Sequence, residues 1–209
     1  MSNLTIDPEL TPKQKIAMRL LVDHSNEVTE VLFGGAAGGG KSFIGCLWLI
    51  ICAIQYPETR WLMGRSKLNI LKSTTLKTFF EVAELLGLKP DEHYKYNQMN
   101  NDIIFWNGSE IVLKDLFSYP SDPEFSNLGS LEIAGAFIDE CNQISEKAKN
   151  MVMSRMRHKL DYYSITPKLF MSCNPSKNWV YNSFYKKSLD GELEHFRRFI
   201  PALTSDNKF

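Results

Sequence analysis

The segment GGAAGGGKS, Gly34 to Ser42, places five glycines, a lysine and a serine between two apolar runs. The residues VLF precede it and FIGCLWLI follows it. Glycine loses more backbone entropy on ordering than any other residue. A glycine-rich segment between two apolar ones therefore indicates that the backbone there must adopt conformations, or make close approaches, that side chains would prevent. A mobile Gly-rich linker would have polar flanks instead. The segment is therefore predicted to be an ordered loop between a buried strand and a buried helix.

The spacing from Gly35 to Ser42 matches G-x-x-x-x-G-K-[ST], the pattern of a loop that cradles phosphates. Several backbone N–H groups must converge on one small concavity, and side chains would obstruct that approach. The helix that follows turns its unpaired N–H groups and the positive end of its dipole toward the same anion. The pattern predicts that Lys41 reaches the β- and γ-phosphates and that the Ser42 hydroxyl ligates Mg²⁺.

The composition predicts one folded, soluble, intracellular domain. The chain has 209 residues, 44% of them hydrophobic, and its 24 basic side chains balance 24 acidic ones. A contact with DNA would therefore need a local patch, such as 155–159, 186–187 or 197–198, although such short charge runs are more often solvated faces. The four cysteines include no C-x-x-C pair, which suits reduced thiols. The longest apolar run, 43–54, is too short to span a bilayer.

Apolar runs typical of strands alternate with helical patterns along the chain. Strands are predicted at 28–34, 59–65, 132–140, 167–175 and 195–203, and helices at 10–23, 42–55, 70–87 and 144–160. Asn107-Gly108 lies between two further strand-like runs, which is the strongest short-range signal for a hairpin. Continuous apolar runs are typical of a parallel sheet covered on both faces. The fold class is α/β, a mostly parallel sheet between helices with an added β-hairpin near 102–114.

Two adjacent acids end the strand AFIDE, residues 136–140. Side chains alternate along a strand, but where the chain turns at its end two neighbouring acids can serve different purposes. We expect Asp139 to hold Mg²⁺, directly or through water, and Glu140 to orient and polarise the water that attacks the phosphate. A charged strand end would be the simpler interpretation if the phosphate loop were absent.

Asn174 follows a third buried strand, in the segment FMSCNP. If this strand lies beside the acid-bearing one, the Asn174 amide could bond the γ-phosphate or the attacking water and so report hydrolysis. An Asn-Pro pair is also a common turn. The residues alone leave both interpretations open.

Together these segments resemble the ATPase domain of the large terminase subunit, the motor that packages DNA into tailed-phage capsids. The resemblance covers most of the chain and includes LTPKQ at 10–14, the phosphate loop, MGRSKLNILKST at 63–74, the NGSEI hairpin, GAFIDECNQIS with the following SRMR, SCNP at 172–175 and SDNKF at 205–209. It implies a P-loop NTPase of the RecA-like, ASCE type that uses ATP and Mg²⁺. It also implies that Gln14 reads the adenine and that the remaining nucleotide contacts come from Gly35, Gly38, Gly39, Gly40, Lys41, Ser42 and Phe43.

The resemblance further implies a homo-oligomeric ring on the capsid in the host-cell cytoplasm, with no membrane. Double-stranded DNA, the portal protein and the small terminase subunit are its expected partners. An arginine supplied by a neighbouring subunit is expected too, because charge that develops on the γ-phosphate needs a cation there. Some family members carry a basic residue inside the loop, where this chain has 36–39 as AAGG. Arg155 or Arg157 is then expected to be this arginine, the arginine finger, and Arg65 is the next choice. Each of the three is equally compatible with a structural ion pair.

Family members are longer and end in a metal-dependent nuclease with a cluster of acids, and the sequence contains no such cluster. Residues 1–209 are therefore interpreted as a single ATPase motor domain without cutting activity. Three other functions compete with this interpretation. A helicase would be expected to show further nucleic-acid motifs and a basic excess. A nucleotide-gated assembly module has less need of Glu140, and a small-molecule kinase would need an acceptor pocket and a lid.

Overall fold

The computed structural model describes residues 9–35 and 40–202. In this part of the chain eight strands form one sheet: β1 Glu30–Gly35, β2 Arg60–Arg65, β3 Tyr94–Asn97, β4 Asp102–Phe105, β5 Glu110–Asp115, β6 Gly135–Ile138, β7 Leu169–Cys173 and β8 Arg197–Ala202. The α-helices are α1 Pro12–Val22, α2 Lys41–Gln55, α3 Leu68–Ser73, α4 Thr75–Leu85, α5 Glu146–Ser154, α6 Leu160–Tyr163 and α7 Lys187–Asp190. A π-helical turn, Tyr181–Lys186, precedes α7, and two 3-10 turns lie at Ser126–Leu128 and Cys141–Gln143. Across the described ranges, no helix is both long and apolar enough to span a bilayer.

The sheet is mostly parallel, with the strand order β3-β4-β5-β2-β6-β7-β1-β8. Strand β1 is parallel to its neighbours β7 and β8, β2 is parallel to β5 and β6, and β6 is parallel to β7. The pairs β3–β4 and β4–β5 are antiparallel. The α/β class and the hairpin near 102–114 are thus confirmed. The carboxyl ends of β2, β6, β7 and β1 consequently meet along one edge of the sheet.

Apolar side chains fill both faces of the sheet. Val31 and Phe33 of β1 belong to the core cluster that α1, α2 and α4 cover, whereas Leu32 belongs to the cluster under α5. This alternation follows from the two-residue period of a strand. Both faces of the central strands β1, β2, β6 and β7 are therefore buried, as their continuous apolar runs predict.

Helix α2 packs directly on the strand that carries the two acids. A Cβ added at Gly45 would lie 2.3 Å from the Phe137 ring of β6, so a glycine is needed for the helix to come this close. Trp48 and Leu49 of the same helix are fully buried. The start of α2 and the end of β6 are thereby held at a fixed separation, which positions the chemistry described below.

Three elements differ from the predicted ones. The helix expected over 70–87 is divided into α3 and α4 at Thr74, whose φ of −127° and ψ of −83° are not helical. Its hydroxyl donates to the Ile70 carbonyl at 2.7 Å, a side-chain bond of the kind that competes with helical backbone bonds. The helix expected over 144–160 ends at Ser154, because the next residues pair with the backbone of Ile133. Strand β3 is a further difference: its four residues, YKYN, are too short a run to indicate a strand from sequence alone.

Candidate nucleotide-binding site

The predicted phosphate loop joins β1 to α2, the strand and helix that its pattern requires. Gly35 has a φ of 145°, and a Cβ there would lie 1.8 Å from the Ala202 carbonyl oxygen. Gly40 is left-handed, with a φ of 62°, and a Cβ there would lie 2.3 Å from Gln14 Nε2. The glycines at both ends of the loop are therefore required by the backbone and its neighbours. The predicted contacts at Gly38 and Gly39 lie outside the described residues, as does the segment 205–209.

Lys41 is the first residue of α2 and is buried. Its Nζ donates to the Gly35 carbonyl oxygen at 3.2 Å and to Asn174 Oδ1 at 3.3 Å. The ammonium group is thus aimed back over the end of β1, between Gly35 and Asn174.

Gln14, the residue expected to read the adenine, lies beside Gly40 at the start of α2. Its Oε1 accepts the Thr11 N–H at 2.9 Å, and the Thr11 hydroxyl accepts the Gln14 N–H at 3.3 Å, which together form a capping box at the start of α1. Its Nε2 donates to the Gly40 carbonyl oxygen at 3.4 Å. Phe43 is half-buried and packs on the core cluster beneath α2. The adenine contact of Gln14 and the nucleotide contact of Phe43 stay predictions.

Asp139 lies at the carboxyl end of β6 and is only 2% exposed. Its carboxylate accepts from Ser42 Oγ at 3.1 and 3.2 Å, from Thr75 Oγ1 at 2.6 Å and from Arg65 Nη1 at 3.3 Å. The Ser172 hydroxyl donates to the same carboxylate. Ser42 and Asp139, the two residues predicted to hold Mg²⁺, are therefore in direct contact.

Glu140 adopts the left-handed conformation, with a φ of 52° and a ψ of 50°. This conformation is uncommon for a residue other than glycine. Its N–H donates to Ser172 Oγ at 3.2 Å. Burial raises the pKa of the Glu140 carboxyl, and the neighbouring Asp139 charge adds to this rise, while Arg65 and Lys41 offset part of it.

Asn174 bridges two of the predicted site residues. Its Oδ1 accepts from Lys41 Nζ at 3.3 Å, and its Nδ2 donates to the Glu140 carboxylate at 2.9 and 3.1 Å. The amide thus joins the lysine that follows the phosphate loop to the second acid of AFIDE. The parallel pairing of β6 with β7 brings these strand ends together.

The structure does not bring Arg155 or Arg157 to this site. Arg155 Nη1 donates to the Gly129 carbonyl oxygen at 2.7 Å, and Arg157 Nε pairs with Glu132 at 3.0 Å. Both arginines lie beside the segment that leads into the amino end of β6, whereas Asp139 follows its carboxyl end. Arg65, in contrast, contacts Asp139 directly.

Comparison with known proteins identifies the family. The family model described as phage terminase large subunit matches residues 26–209. This chain belongs to the phage terminase large subunit family. None of the curated protein sequences compared with the terminase chain matches it.

Solved structures show that the terminase chain shares a fold with large terminases and with a DNA packaging ATPase. The large terminase of a thermophilic bacteriophage, in complex with ADP, has a TM-score of 0.72 at 17% identity, over 94% of this chain and 46% of that one. The large terminase ATPase domain of Thermus phage P74-26 has a TM-score of 0.62 at 14% identity, over 95% and 82% of the two chains. The N-terminal domain of the DNA packaging ATPase from bacteriophage phi29 has a TM-score of 0.54 at 13% identity, over 88% and 93%. The terminase chain thus spans about half the length of the first of these proteins, the ADP-bound large terminase.

The donor set of the terminase site suits a magnesium–nucleotide complex. Mg²⁺ in such sites takes one or two protein oxygens and fills its other positions with phosphates and water. The Ser42 hydroxyl and the Asp139 carboxylate are such a pair, at 3.1 Å from each other. Among the described residues no group of three or more His, Cys, Asp or Glu side chains could hold a metal ion on its own. Ser42 and Asp139 thus fit a magnesium–nucleotide complex by the chemistry of their oxygens.

The sequence analysis missed two residues of the site, Ser172 and Thr75. Ser172 is a fully buried polar residue in the apolar strand β7, two positions before Asn174, and that pattern is a usable signal. Thr75 follows Ser73 and Thr74 in a run of poor helix formers inside an otherwise good helical pattern. The run predicts a break in the helix, but the contact of Thr75 with Asp139 joins residues 64 positions apart.

Proposed function

We propose that this terminase domain is a Mg²⁺-dependent ATPase whose ATP hydrolysis drives the translocation of double-stranded DNA into a viral procapsid. The observation that carries the proposal is the Asn174 amide held between Lys41 and Glu140. Through such a bridge, the loss of the γ-phosphate would change the contacts of Glu140 and of the end of strand β7 at the same time. Membership of the terminase family supports the coupling of that event to packaging.

Each side chain has a separate role in the proposed reaction. Lys41 binds the β- and γ-phosphates once they displace its present bonds to Gly35 and Asn174. Ser42 and Asp139 would hold Mg²⁺, which when bound neutralises charge on the phosphate oxygens. Glu140 accepts a proton from, or orients, the attacking water. The raised pKa of Glu140 brings it closer to the operating pH, as a general base requires.

The partners follow from the family and are part of the proposal. They are double-stranded DNA, a portal protein, a small terminase subunit and further copies of this chain in a ring in the host-cell cytoplasm. Arg155 and Arg157 lie at the opposite edge of the sheet from Asp139, so any contact of theirs with a γ-phosphate would be with that of a neighbouring subunit. We assign the ATPase to residues 1–209 as one domain and propose no nuclease activity for them.

The proposal is tested by ATP turnover per protomer, measured as protein concentration rises, for the parent and for Glu140→Gln. We expect turnover per protomer to climb with concentration and the Gln variant to be inactive, because a finger in trans contributes roughly 10³–10⁵ in rate. Glu124→Gln is the matched control, since it makes the same change at an exposed glutamate. Lys41→Ala should lose nucleotide binding.

Two results would overturn the proposal. If Lys41→Ala binds and hydrolyses ATP like the parent, the loop is not the nucleotide site. If the parent binds ATP but does not turn it over at any concentration, with or without duplex DNA, the domain is a nucleotide-gated assembly module.

A further inference from the structure

Arg65 lies where β2 ends and makes an ion pair with a residue expected to hold a metal. Its Nη1 is 3.3 Å from Asp139 Oδ2 and also donates to Thr74 Oγ1 at 2.8 Å and to Thr75 Oγ1 at 3.4 Å. The side chain is 12% exposed, and that of Asp139 is 3% exposed. The guanidinium is therefore held directly against an almost fully buried acid.

The surroundings of Asp139 are already filled by donors of the chain itself. Ser42 and Thr75 both donate to its carboxylate. The hydroxyl hydrogen of Ser42 therefore points at Asp139, the residue with which Ser42 is expected to hold Mg²⁺. A divalent cation placed between Ser42 and Asp139 would be repelled by a guanidinium bonded to the same carboxylate. Arg65 and the metal therefore compete for one position.

Arg65 also has hydrogen-bond partners other than Asp139. The break between α3 and α4 at Thr74 presents two adjacent hydroxyls to the guanidinium. The Arg65 Nε is buried and has no hydrogen-bond partner among the described residues. A buried N–H without a partner is uncommon, and a shift of the guanidinium away from Asp139 would allow this donor to find one.

We propose that Arg65 stands in for Mg²⁺ on Asp139 while the nucleotide site is empty, and that it leaves the carboxylate when Mg²⁺ and nucleotide bind. The guanidinium keeps its hydrogen bond to the Thr74 hydroxyl when it leaves Asp139. This makes Arg65 a positioning residue that holds Asp139 in place between turnovers. The inference rests on the proposed nucleotide site and adds that Arg65 competes with Mg²⁺ for the Asp139 carboxylate.

The test is the affinity for ADP, measured by calorimetry in Mg²⁺ and in EDTA, for the parent, Arg65→Gln and Arg60→Gln. Arg60 is the matched control because it lies on the same strand, pairs with the Glu110 carboxylate and undergoes the same change of charge. Arg65→Gln removes the competitor, so we expect it to bind ADP about tenfold more tightly in Mg²⁺, with no gain in EDTA. Arg60→Gln should match the parent in both buffers.

Each other outcome overturns the inference. Weaker binding of ADP to Arg65→Gln in Mg²⁺ would place the guanidinium on the phosphates, and unchanged binding would mean that it stays on Asp139. An equal gain in Mg²⁺ and EDTA would mean that Arg65 opposes the nucleotide and not the metal. If the parent binds no ADP in either buffer, the proposed function fails as well, whereas the other outcomes leave the nucleotide site intact.

Arg65→Gln removes the partner of a buried acid and for that reason can fail to fold. The parent then decides the question in a crystal structure with Mg²⁺ and ADP. A distance from Arg65 Nη1 to Asp139 clearly longer than the present 3.3 Å supports the inference. An unchanged ion pair with the metal bound at Ser42 overturns it.

Discussion

The amide nitrogen of Asn174 lies within hydrogen-bond distance of both carboxylate oxygens of Glu140, at 2.9 Å from Oε1 and 3.1 Å from Oε2. The two residues are 34 positions apart and meet because β6 and β7 are parallel neighbours. The same amide accepts from Lys41 through its oxygen. Any movement of Lys41 toward a phosphate therefore changes the restraint on Glu140.

Replacing Asn174 with alanine should lower maximal ATP turnover far more than it lowers affinity for ADP. The variant keeps the loop, Lys41 and Ser42, but Glu140 loses the partner that orients it. We expect turnover to fall by about 10²-fold, the lower end of what a positioned acid–base group contributes. Steady-state hydrolysis and ADP titration measure the two quantities separately.

Asn182→Ala is the control for this change, since Asn182 is exposed on the π-helical turn near Asn174. It should behave like the parent. If Asn174→Ala also turns over ATP like the parent, the Asn-Pro pair is only a turn.

Replacing Glu140 with glutamine should stabilise the protein at neutral pH. The folded protein retains the Glu140 proton to a higher pH than the unfolded chain does, because burial and Asp139 raise the pKa of this carboxyl. Above that raised pKa the ionised carboxylate opposes folding, and below the pKa of the unfolded chain it does not. The variant should therefore melt at a higher temperature than the parent near pH 7, with the gain lost at acid pH.

Thermal unfolding of both proteins across this pH range makes the comparison. Glu124→Gln, at an exposed glutamate, should show no gain at pH 7. A Glu140→Gln variant that is less stable than the parent at pH 7 would contradict the prediction. Turnover of the parent should also fall as the pH drops through the raised pKa of Glu140, because the base then takes up its proton.

Replacing Lys149 with methionine should destabilise the fold strongly. Lys149 Nζ lies 3.1 Å from both carboxylate oxygens of Glu30, and each side chain is 2% exposed. Without the lysine, the buried Glu30 keeps only Arg197, at 3.1 Å, as an ion-pair partner among the described residues. We expect a loss of about 3 kcal/mol in the free energy of unfolding, the scale seen when one partner of a buried ion pair is removed.

Lys147→Met is the matched control, because Lys147 lies on the same helix and pairs with the exposed Glu124. Its loss should stay within about 1 kcal/mol, as for other surface pairs. Urea unfolding gives both values, and equal losses in the two variants would show that the burial of Lys149 does not matter.

Local sequence was enough to predict the loop from Gly35 to Ser42, the acids Asp139 and Glu140, and the Asn107-Gly108 hairpin. A glycine-rich loop, acids at the end of a strand and an Asn-Gly turn are each formed by adjacent positions, so they can be recognised in a single sequence. The alternation of strands and helices also predicted the α/β class, and the sheet confirms it.

Only the tertiary structure showed which side chains meet on Asp139. Ser42, Arg65, Thr75 and Ser172 come from four separate segments, and they converge because β2, β6, β7 and β1 are consecutive in the sheet. Strand order depends on long-range pairing between segments, which leaves no periodic pattern in the sequence. The same reason kept the buried pair of Glu30 and Lys149 out of the sequence analysis, since the two residues lie 119 positions apart. The sequence thus indicates which individual residues could carry chemistry. The contacts that join them into one site are seen only in the folded structure, because they connect residues that are far apart in the chain.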